Sequence, residues 1–124
     1  LLDFDDIVKN SLLARSISIP FALVLTEKVG GSISLIPLFA VITGLVGMLL
    51  GDLLLLWMKY KNHLASGAAL GNAAHAMGIA RARQRHELEG VIASLSMIIS
   101  GIIMVLFAPS LIAVTKYLLG FISF

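Results

Sequence analysis

Two long apolar runs dominate the pattern along the chain. The first is residues 34–57, SLIPLFAVITGLVGMLLGDLLLLW, and the second is residues 91–108, VIASLSMIISGIIMVLFA. A helix needs about 20 mostly apolar residues to cross the hydrocarbon of a bilayer. Both runs are therefore predicted to be transmembrane helices, the second closed by Pro109. The shorter apolar run 110–124 predicts a third span or an interfacial helix.

The end of the first run has the composition of a membrane boundary. Trp57 is followed by Lys59, Tyr60 and Lys61, and aromatic and basic residues are enriched where a helix leaves the bilayer. Asp52 is the exception inside the run. An intramembrane carboxylate is costly, so we expect a buried hydrogen bond to satisfy it.

Residues 11–29, SLLARSISIPFALVLTEKV, form a segment that is apolar on average but interrupted. Proline removes one backbone hydrogen bond and clashes with the preceding turn. Irregular backbone at membrane depth is tolerated only where protein or a water-filled cavity surrounds it. We expect Pro20 to interrupt a helix at membrane depth, with Ser16 and Ser18 satisfying the freed carbonyls.

Residues 64–80, LASGAALGNAAHAMGIA, form a second interrupted segment. Small residues recur in it at three- or four-residue steps, which lets another backbone approach one face closely. These residues are Gly67, Gly71, Ala74, Gly78 and Ala82. Asn72 and His75, three residues apart, share a neighbouring face.

Basic residues flank this second segment on both sides. Lys59 and Lys61 precede it, and Arg81, Arg83 and Arg85 follow it. Because short cytoplasmic loops are enriched in Lys and Arg, a fully crossing segment would place one cluster on the wrong side. The pattern favours a broken or re-entrant element that places both links on one side, the cytoplasmic one.

The links themselves predict solvated surface. Arg83 with Glu87 and Arg85 with Glu89 are spaced for i,i+4 pairs along a helix. His63 and His86 lie within these charged connections, and we expect them to be exposed.

The order of segments suggests a repeat. An interrupted segment, a short charged link and an apolar span occur twice along the chain. Interrupted segments at corresponding positions of two halves are the best sequence indication of a transporter's binding site. The fold class predicted is all-α, a polytopic transmembrane protein with broken or re-entrant helices, possibly built from repeats and forming one membrane domain over residues 1–124.

Composition supports a bilayer environment and excludes several classes of site. The chain of 124 residues is 59% hydrophobic and 13% charged, against about 45–50% and about 25% in soluble domains. It has no cysteine, and its three histidines are not spaced as zinc ligands. We expect no metal, no cofactor, no nucleic-acid partner and no enzymatic activity.

The opening LLDFDDIVKN lacks a basic leader region, and we expect the distal half of a longer membrane protein.

The phrase LASGAALGNAAHAMGIARA, followed by ELEGVIASLSMIISG, resembles the LrgB/CidB/YohK family. The family pattern is roughly R-G-x-A-x-G-T-x-S-H-x-x-G-T-A-R-A, then E-x-x-G-A-x-S-S-L-A-M. The upstream ARSISIPFA resembles the same family's K-S-V-T-T-P-I-A. The resemblance covers about residues 11–109 and implies the C-terminal half of such a protein. Asn72, Ala74, Ile79 and Ile19 stand where the family pattern has hydroxyl residues.

The resemblance implies two functional descriptions, which stay open here. One is a carrier or channel for small monocarboxylates of the pyruvate, glycolate and glycerate class. The other is a holin-like or antiholin-like regulator of murein hydrolase activity and lysis that acts by membrane oligomerisation. Both imply a bacterial cytoplasmic (inner) membrane location, a small LrgA/CidA-type partner and a homo- or hetero-oligomer.

By position, the resemblance implies a substrate site on the two interrupted segments. Its residues would be Ser16, Ser18, Pro20, Asn72, His75 and Arg81, with Gly67, Gly71 and Gly78 allowing close backbone approach. Histidine exchanges a proton near neutral pH, and the arginine fork matches a carboxylate. The alternative is that His75 is a packed core residue and Arg81 a topology anchor that extends to the headgroups.

Overall fold

The computed structural model describes residues 5–59 and 61–122, and in this part of the chain all regular structure is helical. The all-α prediction is therefore confirmed for these residues. The elements, in order, are α1 (Asp6–Leu13), α2 (Ile19–Val29), a single 3-10 turn (Ile33–Leu35), α3 (Ile36–Trp57), α4 (His63–Arg85) and α5 (Glu87–Ile122).

Helix α3 and the first part of α5 are long and apolar enough to cross a bilayer, as predicted. The candidate spans are Ile33–Trp57 and Glu87–Ala108. The 22 residues of α3 extend about 33 Å at 1.5 Å per residue, which matches the hydrocarbon thickness. Large apolar side chains such as Leu49 and Leu106, each 64% exposed, point away from the protein on these helices. They form the surface that lipid would cover.

The end of α5 departs from the prediction. Pro109 does not close the helix, because α5 continues to Ile122. Proline removes only one backbone hydrogen bond, and membrane helices tolerate this loss. Residues 110–122 are therefore the continuation of α5 and not a separate element, and residues 123–124 lie outside the described part.

Helix α4 is not straight, because the chain turns back on itself at His75. Its 23 residues would extend about 34 Å in a continuous helix. Instead the rings of His63 and His86, at its two ends, stack with centroids 4.3 Å apart. Gly78 packs directly on the carbonyl of Leu70. Residues 63–74 (the first arm) and 76–85 (the second arm) are thus a helical hairpin, the α4 hairpin, as the re-entrant interpretation predicts.

Residues 6–29 form a second hairpin, the α1–α2 hairpin. Helix α1 ends at Leu13 and α2 begins at Ile19, so residues 14–18 are the break. The backbone N–H of Ser32, just after α2, donates to Ser11 Oγ at 2.7 Å, which places α1 beside the far end of α2. The segment is interrupted, as predicted, but the break lies at residues 14–18 and not at Pro20.

Pro20 starts a helix and does not break one. It lies in the first turn of α2, where the missing N–H would have had no intrahelical partner. The hydroxyl of Ser18, the N-cap residue, makes no capping hydrogen bond. The expectation that Pro20 frees carbonyls for Ser16 and Ser18 is therefore wrong, since the first-turn position frees none.

The two hairpins open toward opposite ends of α3. The α1–α2 hairpin has its open end at Gly31 and Ser32, just before α3. The α4 hairpin has its open end beside Asp52, near the end of α3, because Arg81 and Arg85 bind that carboxylate. Each hairpin is followed by a span, and the second unit is inverted relative to the first. This is the arrangement of an inverted repeat.

Candidate functional site

The tips of the two hairpins meet at the middle of the bundle. His75 lines a common cavity with Gly44 and Met97, which lie at the centres of the two candidate spans. Residues of the 14–18 break, Ser16 and Ser18, line a narrower space with the same histidine. Both interruptions predicted from the sequence therefore lie at one place, at the level of the middle of the two candidate spans.

The backbone of His75 adopts a conformation that favours glycine. Its φ is 51° and its ψ is −130°, close to the first central residue of a type II′ turn. A residue with a side chain in such a region costs about 1–3 kcal/mol, and strain of this kind clusters at functional sites. The turn that makes the hairpin thus holds a histidine where glycine would be easier.

The ring of His75 is buried. The residue is 6% exposed and lies beside the 14–18 break in the opposite tip. Its Nε2 atom is buried without a hydrogen-bond partner among the described residues. Burying a polar atom unpaired costs about 1–3 kcal/mol, so this nitrogen is available to a ligand.

Several polar side chains share a narrow space with His75. The narrow space beside the ring is lined by Ser16, Ile17, Ser18, Gly71, Asn72, His75, Met97 and Ser100. Four of the six residues predicted for a substrate site, Ser16, Ser18, Asn72 and His75, are therefore brought together. The sequence prediction missed Ser100.

Ser100 orients the amide of Asn72. The Ser100 hydroxyl donates to Asn72 Oδ1, and Asn72 Nδ2 donates to the Ala68 carbonyl at 3.0 Å. In the sequence, Ser100 stands four residues after Ser96 and beside Gly101 in the second span, a pattern that predicts close helix packing. Ser100 can be recognised as part of this space only when the tip of the α4 hairpin is known to lie beside it.

The electrostatics of this space favour an anion. Helix α2 begins beside it at Ile19, and the second arm of α4 begins immediately after His75. The first N–H groups of a helix lack intrahelical partners and carry a partial positive charge. Among the described residues that line the space, none carries a carboxylate.

His75 also lines a larger apolar cavity. It has a volume of about 480 Å³ and lies between α2, α3, the α4 tip and α5. Pro20 is part of its wall, together with Phe21, Val41, Met77 and Ile98. Pro20 therefore contributes apolar surface to a cavity that His75 also lines.

Arg81 is not in this space, because it binds Asp52. Its Nε and Nη2 donate to Asp52 Oδ2 at 3.0 and 2.6 Å, and Arg85 Nη1 donates to Oδ1 at 3.2 Å. The hydrogen bond to Asp52 raises the pKa of Arg81 above its usual value. The expected buried hydrogen bond of Asp52 is thus present, and its partner is the arginine predicted for substrate.

The three predicted glycines are at backbone contacts within the protein. Gly67 lies against the backbone of Glu89, and Gly71 lies against that of Ala93. Gly78 lies against the carbonyl of Leu70 in the other arm. A Cβ at any of them would displace a helix, so they set how closely the hairpin packs.

The charged connection between α4 and α5 is compact. His63 Nδ1 and Glu89 Oε1 are 2.8 Å apart, and Arg85 Nε lies 3.1 Å from Glu89 Oε2. That second contact is an ion pair without hydrogen-bonding geometry, and Glu89 Oε2 has no hydrogen-bond partner among the described residues. Glu89 is 3% exposed, so the expectation of a fully solvated link is wrong for Glu89.

Comparison with known proteins gives one family. The model of the LrgB-like family matches residues 1–114. The chain is 34% identical to the holin-like protein CidB of Staphylococcus aureus over 102 residues, covering 82% of this chain and 44% of CidB. It is 32% identical to the protein YwbG of Bacillus subtilis over 104 residues, covering 84% of this chain and 46% of YwbG.

The chain thus spans less than half the length of the curated relatives it matches. No solved structure matches it. With the family model covering most of the sequence, and with two helices apolar enough to span a bilayer, the chain belongs to the LrgB-like family of membrane proteins.

Proposed function

We propose that the protein carries or conducts small monocarboxylates of the pyruvate, glycolate and glycerate class, and that His75 is the centre of its binding site. The observation that carries this proposal is the free, buried Nε2 of His75 at the meeting point of two helix breaks. A strained residue with an unpaired polar atom is a costly arrangement, and a ligand would repay it.

A carboxylate fits the donors around that point. The first N–H groups of α2 and of the second arm supply positive potential, as in other anion sites at helix N-termini. The imidazole N–H and the hydroxyls of Ser16 and Ser18 add side-chain donors beside Asn72. The carbon end of the ligand would extend into the apolar cavity beside Pro20.

The position of the site suits transport. Transporters built from inverted repeats bind substrate near the bilayer midplane, between discontinuous helices. In this chain the two hairpins approach that level from opposite ends of α3. Movement of one hairpin would open the site to one side of the membrane.

The setting proposed is the bacterial cytoplasmic (inner) membrane. A small LrgA/CidA-type membrane partner and an oligomer complete the proposed assembly. No catalytic role, cofactor or nucleic-acid partner is part of this proposal.

The alternative is a holin-like regulator of murein hydrolase activity and lysis. The name of the CidB relative, a holin-like protein, favours it. That alternative assigns the small-residue faces to oligomerisation. Gly67 and Gly71, however, are covered by α5 of the same chain, which leaves them no role between copies.

Uptake by the full-length protein in proteoliposomes separates the two functions. The carrier proposal expects uptake of labelled pyruvate that saturates and that glycolate or glycerate competes for. Uptake that fails to saturate, with or without the small partner, would contradict it. A loss of regulated murein hydrolase activity on gene deletion would then favour the holin-like function.

A further inference from the structure

The open end of the α4 hairpin is held together by two histidines and a buried glutamate. His63 begins the first arm, His86 follows the second arm, and their rings are 4.3 Å apart and 21° from parallel. His63 Nδ1 lies 2.8 Å from Glu89 Oε1 in α5. We call this group the clasp.

One hydrogen bond involves the ring of His86. The backbone N–H of Leu88 donates to His86 Nδ1 at 3.2 Å, so Nδ1 is the acceptor in this geometry. The same bond caps the N-terminus of α5. His86 thus links the stack to the start of the second span.

A second proton on His86 would oppose this geometry in three ways. Nδ1 would become a donor, and the bond from Leu88 would be lost. A cation would lie at a helix N-terminus, which already carries partial positive charge. With His63 also protonated, two cations would face each other 4.3 Å apart, although His63 keeps its bond to Glu89 in either state.

Glu89 offsets a proton on His63, but among the described residues no carboxylate is paired with His86. Asp52 on α3 is bound by Arg81 and Arg85, and Arg85 also contacts Glu89. The charged groups at this end of the molecule are Asp52 on α3, Lys59 and Lys61 in the link, Arg81, Arg83 and Arg85 on α4, and Glu87 and Glu89 on α5. Cations outnumber carboxylates, so added positive charge is unfavourable.

We propose that the clasp is an acid-sensitive device that holds the arms of the α4 hairpin together at neutral pH and releases them on acidification. The side chain of His63 is 46% exposed, so protons from solution reach it. Histidine is the side chain that ordinarily changes charge between about pH 5 and 8. Because the arms carry His75 at their tip, release would change the mobility of the tip.

Spin labels at the open end test the clasp without any transport measurement. The chain contains no cysteine, and Leu64 and Leu88 flank the stack with 55% and 44% exposure. The full-length protein, with its other cysteines removed, would carry Leu64→Cys and Leu88→Cys labels in lipid nanodiscs. Dipolar broadening would be recorded at about pH 8 and about pH 5, on either side of the histidine range.

The clasp predicts strong broadening at the higher pH and a reversible loss at the lower pH. His86→Phe keeps a ring that can stack on His63 but takes up no proton, so broadening should persist at both values. Equal broadening of the unsubstituted pair at both pH values would overturn the proposal. A loss of broadening in His86→Phe at the lower pH would also overturn it.

Discussion

Arg81 and Asp52 join the second arm of the α4 hairpin to α3. Two guanidinium nitrogens of Arg81 bind one carboxylate oxygen of Asp52, at 3.0 and 2.6 Å, and Arg85 binds the other oxygen. The Asp52 side chain is 17% exposed, so neither partner is well placed to exchange this bond for water. The pair fixes the arm that leads to His75.

We expect the two residues to be coupled in stability. Asp52→Ala and Arg81→Ala should each lower the thermal stability of the purified protein, because the first leaves Arg81 without its carboxylate and the second leaves Asp52 with Arg85 alone. The double substitution should lose less than the sum, with a coupling energy of about 0.5–3 kcal/mol for residues in contact. Arg81 is 39% exposed, so solvent screening places the value toward the lower end. Additive losses would show that the pair does not hold the arm.

The same contact changes what is expected of Arg81 in transport. A substrate-binding arginine would lose affinity in Arg81→Lys, because lysine lacks the fork. An arginine occupied by Asp52 should instead lose stability and keep its apparent KM for pyruvate. Initial uptake rates across a pyruvate series, at matched expression, measure that KM. A tenfold rise in KM, equivalent to about 1.4 kcal/mol, would indicate that Arg81 binds the substrate.

Gly71 should not tolerate even a methyl group. A Cβ there would overlap the backbone of Ala93 in α5, and overpacking costs about 1–3 kcal/mol. Gly51→Ala is the matched control, since its Cβ would approach only the Leu70 Cδ2 atom, at 3.2 Å. Thermal unfolding in detergent should show a large loss for Gly71→Ala and little change for Gly51→Ala. Equal effects would mean that the close packing of the hairpin on α5 is wrong.

Ser100 should affect ligand affinity through Asn72. Ser100→Ala removes the hydroxyl that orients the amide of Asn72, and one neutral hydrogen bond contributes about 0.5–1.5 kcal/mol. We expect apparent affinity for pyruvate to fall severalfold, with unfolding nearly unchanged. Ser96→Ala, one turn earlier on α5, is the control. If both variants bind as the unsubstituted protein does, Asn72 does not need this orientation.

The spans and the interrupted segments were predictable because hydropathy and small-residue spacing are local signals. These signals were strong enough to place two segments within a few residues of helices α3 and α4, namely residues 34–57 and 64–80. The re-entrant form of α4 followed from basic residues on both sides of one segment. The four predicted residues that lie together in the structure were chosen from the family resemblance and from the position of the breaks.

Long-range partners were not predictable, because nothing local to Arg81 indicates the distant carboxylate of Asp52. The stack of His63 on His86 likewise depends on a chain reversal at His75, where no glycine or proline marks a turn. Pro20 was misplaced for a different reason. Proline suits both a helix break and a first helical turn, and only the end of α1 at Leu13 decides between them.

The central claim, that His75 binds the carboxylate, is tested most directly by ligand-dependent thermal unfolding of the full-length protein and its His75→Gly variant. Glycine adopts the φ of 51° at this turn without strain, so the variant should fold. At a ligand concentration of about one hundred times Kd, binding stabilises a protein by about 2.7 kcal/mol. We predict that pyruvate raises the melting temperature of the unsubstituted protein and leaves that of folded His75→Gly unchanged. An equal rise in both proteins would contradict the claim.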